Sequence, residues 1–424
     1  MEKIDLSPLR KQFPALNKTV DGKKRIFLDG AAGTQVPQIV FDAMFDYMVV
    51  SNANYGGYFR TSVETDEMLV GVREDVADFI NAPSWEGVVL GPNMTTLTYT
   101  LMWTLLRQMK KRDEVVITRL DHGANIDSWK ALEDFGVVAK YIEINKEDCT
   151  LDYEMASRLI DKKTKLVAVG LASNAVGTVN DIKRLTQMAH DAGALMFVDA
   201  VHYAPHFPID VADLGCDFLA YSAYKCFGPH VGFLWGKKEL LEELNPYRPW
   251  PSHDEVPYKY NIGTPNMEGF AGARASVQYI ENLGKKFGKK FLSQYSGYNE
   301  RRQILKAAMA AIAEYELGLS KKLNEGLSQI KNLKVYGITD PERLNQRCPT
   351  YSFVLEGKTS EEICKRMSDE WIYVWNAEDG AGALELVEWL DVVKKGGLLR
   401  VSLEHYNTEG EIDRFLEVLR SIAK

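Results

Sequence analysis

The sequence predicts an α/β protein: a mostly parallel central sheet covered by helices, followed by a smaller C-terminal α/β domain. Three observations carry this. Short continuous apolar runs alternate with amphipathic stretches through the middle of the chain, the pattern of strands buried on both faces and joined by helical crossovers. The polar residues that stand out in this region follow directly on those runs, at the strand ends where α/β sheets bind ligands. After Gly263 the texture changes to long helical stretches and then a second, shorter alternation. At 424 residues the chain is too long for one ordinary core. These changes divide it into an N-terminal arm (1–25), a large domain (26–285) and a small domain (286–424), against which the N-terminal segment can also pack.

Taken in order, Val88-Val89-Leu90 reads as a strand leading into a helix from Thr95 to Lys111. Glu114–Thr118 leads into a helix over Asn125–Phe135, and Leu166–Gly170 is followed, after a loop, by a helix over Ile182–Ala192. Runs ending at Val198 and Leu219, then Gly232–Trp235, complete the sheet. Beyond it the pattern predicts helices over Asn266–Leu283 and Phe291–Tyr315. The small domain then has strands at Leu333–Tyr336, Thr350–Leu355, Ile372–Val374 and Leu398–Leu403, with helices at Ser360–Glu370 and Glu409–Ala423.

Composition, 46% hydrophobic and 26% charged, is that of a folded globular protein. The net charge of −8 and the absence of a Lys/Arg block argue against nucleic acid as a partner. No apolar signal core or membrane-length stretch occurs, so no membrane association and a cytoplasmic location are expected. Five cysteines, an odd number at unrelated spacings, form neither a disulfide framework nor a paired zinc set.

Lys225 is the most informative residue. It follows the apolar run 217–220 within Tyr221-Ser222-Ala223-Tyr224-Lys225, and an amine at the end of a buried strand is expensive to desolvate. One common reason to place it there is Schiff-base chemistry with an aldehyde cofactor. Asp199 ends the preceding strand. A strand-end acid beside a strand-end lysine suits pyridoxal phosphate, the acid pairing with the protonated pyridine nitrogen. Alone, Asp199 would serve equally as a turn former or cap. Gly91-Pro92-Asn93-Met94-Thr95 lies between a strand and a helix, where amides and helix dipole favour a phosphate, although a plain N-cap has the same appearance. Ser222, Tyr224 and the Gly263-Thr264-Pro265 turn offer further phosphate ligands. His122 stands where an imidazole would stack on a pyridine ring or shuttle protons, and Asn174 where an amide would reach the cofactor's phenolic oxygen. Each also has a purely structural reading. His202 and His206 stand four apart, a zinc spacing on a helix. Pro205 lies between them and no Glu follows His202, so no metal is expected and His202 is read as a cofactor or substrate contact. Arg400, among apolar residues on a strand, is either a surface-facing residue or a bidentate clamp for a carboxylate.

Five pieces then combine: Asp121–Ile126, Ser173–Thr178, Val198–His202, Tyr221–Pro229 and Gly263-Thr264-Pro265. In this order they resemble the class V aminotransferase superfamily of fold-type I pyridoxal-phosphate enzymes, and within it the cysteine desulfurase-like group. The resemblance runs from Ile26 to Thr408. It implies Lys225 as the Schiff-base lysine, Asp199 as the pyridine-nitrogen partner and His122 as the stacking, catalytic imidazole. It places Asn174 and His202 near the phenolic oxygen, His202 standing where relatives usually carry Gln. Asn93, Met94, Thr95, Ser222 and Tyr224 would hold the phosphate, and relatives often have His at the Tyr224 position. Thr264 would come from a second subunit, which implies a homodimer with shared active sites. Arg400, Asn54 and Tyr55 would contact a small amino-acid substrate. The chain departs from desulfurases where a mobile loop should carry a nucleophilic cysteine shortly before the carboxylate arginine, since Trp375–Leu384 has none. The expected reaction is therefore β-elimination of the C–S lyase type without a cysteine persulfide. Transamination and epimerisation are the enzyme alternatives, and a catalytically silent binding module of the same fold is the alternative from another class.

Overall fold

Seven strands form the large sheet: β1 (Val88–Gly91), β2 (Glu114–Thr118), β3 (Val138–Ile142), β4 (Thr164–Gly170), β5 (Leu195–Asp199), β6 (Phe218–Ser222) and β7 (Gly232–Gly236). The computed structural model of the chain describes residues 4–249, 253–377 and 381–424. The strand order is β1-β7-β6-β5-β4-β2-β3. β7 alone runs antiparallel to its neighbours, and β2 through β6 pair in parallel. The winding reverses between β2 and β4, because the chain steps outward to β3 before returning. This leaves a crevice at the carboxyl ends of the strands.

Each strand reads as a continuous apolar run because both of its faces are covered, and alternate residues go to opposite faces. Val115, Ile117, Leu166, Ala168, Phe197, Phe218 and Leu234 pack with Leu97, Leu101, Met102, Ile126 and Trp129 of the helices Met94–Leu106 and Gly123–Lys130. Val116, Val167, Val169, Met196, Val198, Leu219 and Phe233 face the other way. There they join the helices Arg60–Phe79, Ile182–Ala192 and Met267–Phe287.

The second sheet holds β8 (Leu333–Tyr336), β9 (Thr350–Leu355), β10 (Trp375–Ala377) and β11 (Leu398–Ser402), antiparallel in the order β8-β9-β11-β10. One face carries Tyr351, Phe353, Leu399 and Val401 onto the helices Glu300–Ser328, Ser360–Asp369 and Glu409–Ile422. The last two helices open with Thr-x-x-Glu capping boxes, Thr359 with Glu362 and Thr408 with Glu411. The opposite face is polar and buried. Ser352 and Arg400 are register partners there, and they bond the carbonyls of Ala175 (2.5 Å) and Asn174 (3.0 Å) in the large domain. The N-terminal segment buries Leu6, Leu9, Phe13 and Leu16, and Arg10 grips Glu411 with two hydrogen bonds (2.8 and 3.0 Å).

Several predicted elements differ from those observed. The helix after β1 ends at Leu106 rather than Lys111, and the one after β2 is α-helical over Gly123–Lys130 before tightening to 3₁₀ through Phe135. β3 was not predicted, because an edge strand with only its last residue buried has no apolar run to show. The second long helix is Glu300–Ser328, while Phe291 belongs to a 3₁₀ segment. Ile372–Tyr373 does not join the small sheet. It pairs in parallel with Ile26–Phe27, and Trp375–Ala377 forms the sheet edge. No described helix is long and apolar enough to cross a membrane.

Gly177 shows how tightly the two sheets meet. Its φ is +79°, and a Cβ there would lie 2.7 Å from the Cys348 carbonyl and 2.8 Å from that of Thr350. Gly177→Ala is therefore expected to cost about 2 kcal/mol or more of unfolding free energy. Urea denaturation with an unchanged m-value is the check, and a wild-type midpoint would refute it.

Candidate active site

A cavity of about 540 Å³, counted to its open mouth, lies at the carboxyl ends of β2, β4, β5 and β6. Its walls include Ala31, Met94, Thr95, Asp121, His122, Asn174, Asp199, His202, Ser222, Tyr224 and Lys225.

Lys225 stands on a 3₁₀ turn after β6 that is locked from outside. The Tyr224 carbonyl accepts from the Thr34 amide (3.1 Å), and Thr34 Oγ1 accepts from the Phe227 amide (2.8 Å). Phe227 takes φ +61°, an uncommon conformation for a bulky residue, held by rings of Phe13, Tyr279 and His405. Lys225 Nζ donates to the Ala31 carbonyl and lies 5.2 Å from the Tyr224 ring centre. It reaches the cavity while protein encloses it elsewhere. Desolvation, reinforced by the Arg400 cation, brings its pKa down to about 7, against the opposing pull of Asp199, Glu404 and Asp29.

Asp199 ends β5, where its Oδ1 accepts from the Val201 amide (2.8 Å). Burial raises its pKa to about 6. Asp121 is a second buried acid beside it. Its carboxylate accepts from the Gly170 amide (2.9 Å) and Asn125 Nδ2 (2.9 Å), and burial, then the Asp199 charge, pushes its pKa to about 7. His122 caps the following helix, Nδ1 accepting from the Ala124 amide (2.9 Å), so in the neutral ring the proton sits on Nε2. The segment after residue 380 folds onto this wall. The Gly382 carbonyl accepts from the Gly123 amide (2.6 Å), that of Ala381 accepts from Asn174 Nδ2 (3.0 Å), and a Cβ at Gly382 would come within 2.4 Å of His122 Nε2.

At the β1 end, Asn93 Oδ1 accepts from the Thr96 amide (2.8 Å), so the N-cap reading holds, and Ser222 Oγ accepts from the Met94 amide (2.8 Å). Strand β7 passes so near that a Cβ at Gly232 would sit 2.3 Å from the Asn93 backbone. Tyr224 stacks on His230, ring centres 4.8 Å apart.

These residues fit pyridoxal phosphate. Asn174 Oδ1 and His202 Nε2 are buried polar atoms with no protein partner, the condition of groups built to meet a ligand. Asn174 and His202 would take the phenolic oxygen, Asp199 the pyridine nitrogen, and Ser222 with the Met94–Thr95 turn the phosphate. Arg400 is 2% exposed, which rules out the surface-facing reading, and it lies close enough to Lys225 to depress its pKa. Asn54, Tyr55 and Thr264 do not line this cavity. Asn54 Oδ1 accepts from the Tyr55 amide (3.0 Å), and Asn54 and Thr264 are exposed.

Sequence reasoning missed Asp29, Asp121 and Glu404. Asp121 carried the same strand-end signal as His122. Asp29 and Glu404 had none, because they reach the site only when β11 lies beside the segment after Phe27.

The family described as Aminotransferase class-V matches residues 26–302 and 288–415. A probable cysteine desulfurase of Synechocystis is 31% identical over 97% of this chain and 94% of its own length. The aminotransferase-like protein FGM3 of Gibberella zeae is 31% identical over 99% and 98%. Among solved structures, the apo cysteine desulfurase of Thermococcus onnurineus superposes with TM-score 0.86 at 26% identity, covering 100% of this chain and 99% of the other.

Because only the free amine attacks an aldehyde, loading of cofactor-free protein with pyridoxal phosphate should accelerate as pH rises through about 7, where Lys225 loses its proton. Stopped-flow absorbance from pH 5.5 to 9.5 tests this; a rate still climbing steeply at the upper limit, as for an ordinary lysine, would contradict it.

Proposed function

The chain belongs to the class-V aminotransferase family, and on that premise we propose that this pyridoxal-phosphate enzyme is a lyase for a small β-substituted α-amino acid, one that cleaves a C–S bond without a cysteine persulfide. When bound, the cofactor supplies an electron sink for charge developing at the substrate's Cα.

The observation that carries the reading is the placement of the thiols. Cys149, Cys216, Cys226 and Cys348 are buried, and burial raises the pKa of each, to about 11 for Cys149 and about 12 for Cys216. Cys364 is half-buried, its Sγ 3.2 Å from the Val374 carbonyl, and its pKa is raised too. None lines the cavity. The segment that folds onto His122 reads Ala381-Gly382-Ala383, and the preceding residues 378–380, which lie outside the described residues, are Glu-Asp-Gly. A thiolate nucleophile has no place to act from.

The chain's own residues divide the remaining work. Lys225, poised near neutrality, takes the Cα proton. Asp199 keeps the pyridine nitrogen protonated. Arg400, preset by its bond to the Asn174 carbonyl, orients the substrate carboxylate. We also propose a homodimer. It is supported by Phe41, Phe45, Met48, Val49, Val50 and Phe59, large apolar residues exposed along one stretch of chain that includes Asn54 and Tyr55, the kind of surface a partner covers. Those two residues and Thr264 would then reach a partner's cavity.

With L-cysteine or a cysteine S-conjugate, the products expected are pyruvate, ammonia and free sulfide or thiol. Lys225→Ala should abolish turnover, and Cys364→Ala should keep it within about twofold, since a half-buried thiol outside the site is within the range of neutral substitutions. Mass spectrometry of the working enzyme decides the point: a persulfide on any cysteine would sink the proposal, and amino transfer to a keto acid in place of pyruvate release would replace it with transamination.

A further inference from the structure

Spacing alone predicts no metal at His202 and His206, because Pro205 stands between them. The chain does run through turns there rather than a helix, yet the two rings meet edge to face with centres 5.3 Å apart. Cys348, from the loop before β9, joins them. The three residues each place one metal-ligating atom within 4.8 Å of the others. His206 belongs to a second such group as well, with Glu316 and Glu404. All five side chains are buried, and His202, the most open of them, is 5% exposed.

The polar atoms of this cluster are poorly satisfied by protein. Among the described residues, His202 Nε2, His206 Nε2 and both carboxylate oxygens of Glu404 have no hydrogen-bond partner, although none of them touches water. One such atom is uncommon in a folded protein, and four in one place call for a ligand. His206 Nδ1 lies 2.8 Å from Glu316 Oε2. With Nδ1–H donated to that carboxylate, the lone pair of the ring is on Nε2, the tautomer and support of a metal-ligating histidine. Glu404 Oε1 stands 3.9 Å from that Nε2. This is too long for a hydrogen bond, but two ligands on either side of one ion, with bonds of about 2.0–2.2 Å, span it. Gly30 leaves room for the carboxylate, since a Cβ there would lie 2.3 Å from Oε1.

We propose that this cluster is a structural zinc site, with His202, His206, Cys348 and Glu404 as ligands and Glu316 orienting His206. Two imidazoles, one sulfur and one carboxylate make a four-coordinate donor set of the kind zinc takes. Burial keeps both imidazoles neutral, as ligands must be. Cys348 and Glu404 bind as thiolate and carboxylate, their protons passing to solvent as the dication sheds its water, so the filled site carries no net charge. Zinc on His202 Nε2 leaves Nδ1–H for the cofactor's phenolic oxygen, so one histidine serves both the ion and the cavity that it lines. The ligands come from the turn after β5, the loop before β9 and the residue that follows β11 by two, so the ion ties the large sheet to the small one. Glu316 borders a separate cleft with Phe207 and Pro349, which gives the ion a way in.

The test uses untagged holoenzyme from cells grown with added zinc sulfate, freed of loosely held metal by gel filtration in EDTA. Elemental mass spectrometry should find about one zinc per chain, and X-ray absorption at the zinc edge should show one sulfur at about 2.3 Å beside nitrogen and oxygen at about 2.0–2.2 Å. Cys348→Ser should remove the sulfur neighbour, and His206→Asn should lose the zinc. Glu316→Gln should weaken zinc binding by about 10–100-fold, whereas Cys364→Ser should change neither content nor neighbours. Wild-type protein that carries no zinc and takes up none when zinc is added overturns the proposal. Bound zinc without a sulfur neighbour overturns it too, as does full zinc content in His206→Asn. Should the ligand variants fail to fold, the zinc content and sulfur neighbour of the wild type decide alone. None of these measurements involves a substrate, so they stand whatever the product assay shows.

Discussion

One amine held among buried charges at the edge of a sheet organises this molecule. Lys225 reaches the cavity from a turn that cannot relax, because Thr34 bonds it from both sides and Phe227 is wedged in a left-handed conformation by three surrounding rings. Around the amine stand Asp29, Asp199, Glu404 and Arg400 from three separate parts of the chain. Each would be costly to bury alone, and together they offset one another. The elements that carry them are therefore obliged to meet at this point.

That obligation explains the seam between the two sheets. The small sheet turns its apolar face to its own helices and its polar face to the large sheet, so Ser352 and Arg400 satisfy the carbonyls of the Ser173–Thr178 loop. Gly177 lies in the same loop with no room for a side chain, and Arg347 closes it from below through the Val176 carbonyl (3.0 Å). Asn174 is consequently held at three points: by Arg400 at its carbonyl, by Ala381 at its amide group, and by its place after β4. Arg400 and Asn174 thus share one rigid support, which favours a fixed geometry over a mobile one.

The proposed chemistry follows from where the thiols stand. Desulfuration through a persulfide needs an accessible, ionisable thiol; four of the five cysteines are buried, Cys364 is half-buried, burial raises the pKa of each, and none lines the cavity. What remains at the cavity is acid–base machinery: a lysine near neutrality, two strand-end acids that share a boundary, and an imidazole whose tautomer is set by a helix amide. Proton movement at Cα is the work such a set can do.

The strands of the large sheet, their carboxyl-end residues and the cofactor were legible in the chain alone, because a doubly covered strand must be apolar along its length and a polar residue at its end has no reason to be there but a turn or a ligand. Lys225, Asp199, His122, Asn174, His202 and Ser222 were singled out in this way, and they line one cavity. The edge strand β3, half open to water, had no such signature, and Ile372–Tyr373 was assigned to the wrong sheet because two residues cannot announce their partner. Arg400 was ambiguous for a deeper reason. Alternation tells which residues share a face, but only packing decides whether that face meets water or another domain. Asp29, Glu404, His206 and Glu316 lie far apart in the chain and gain their meaning from proximity, so the electrostatics behind the lysine belong wholly to the tertiary structure.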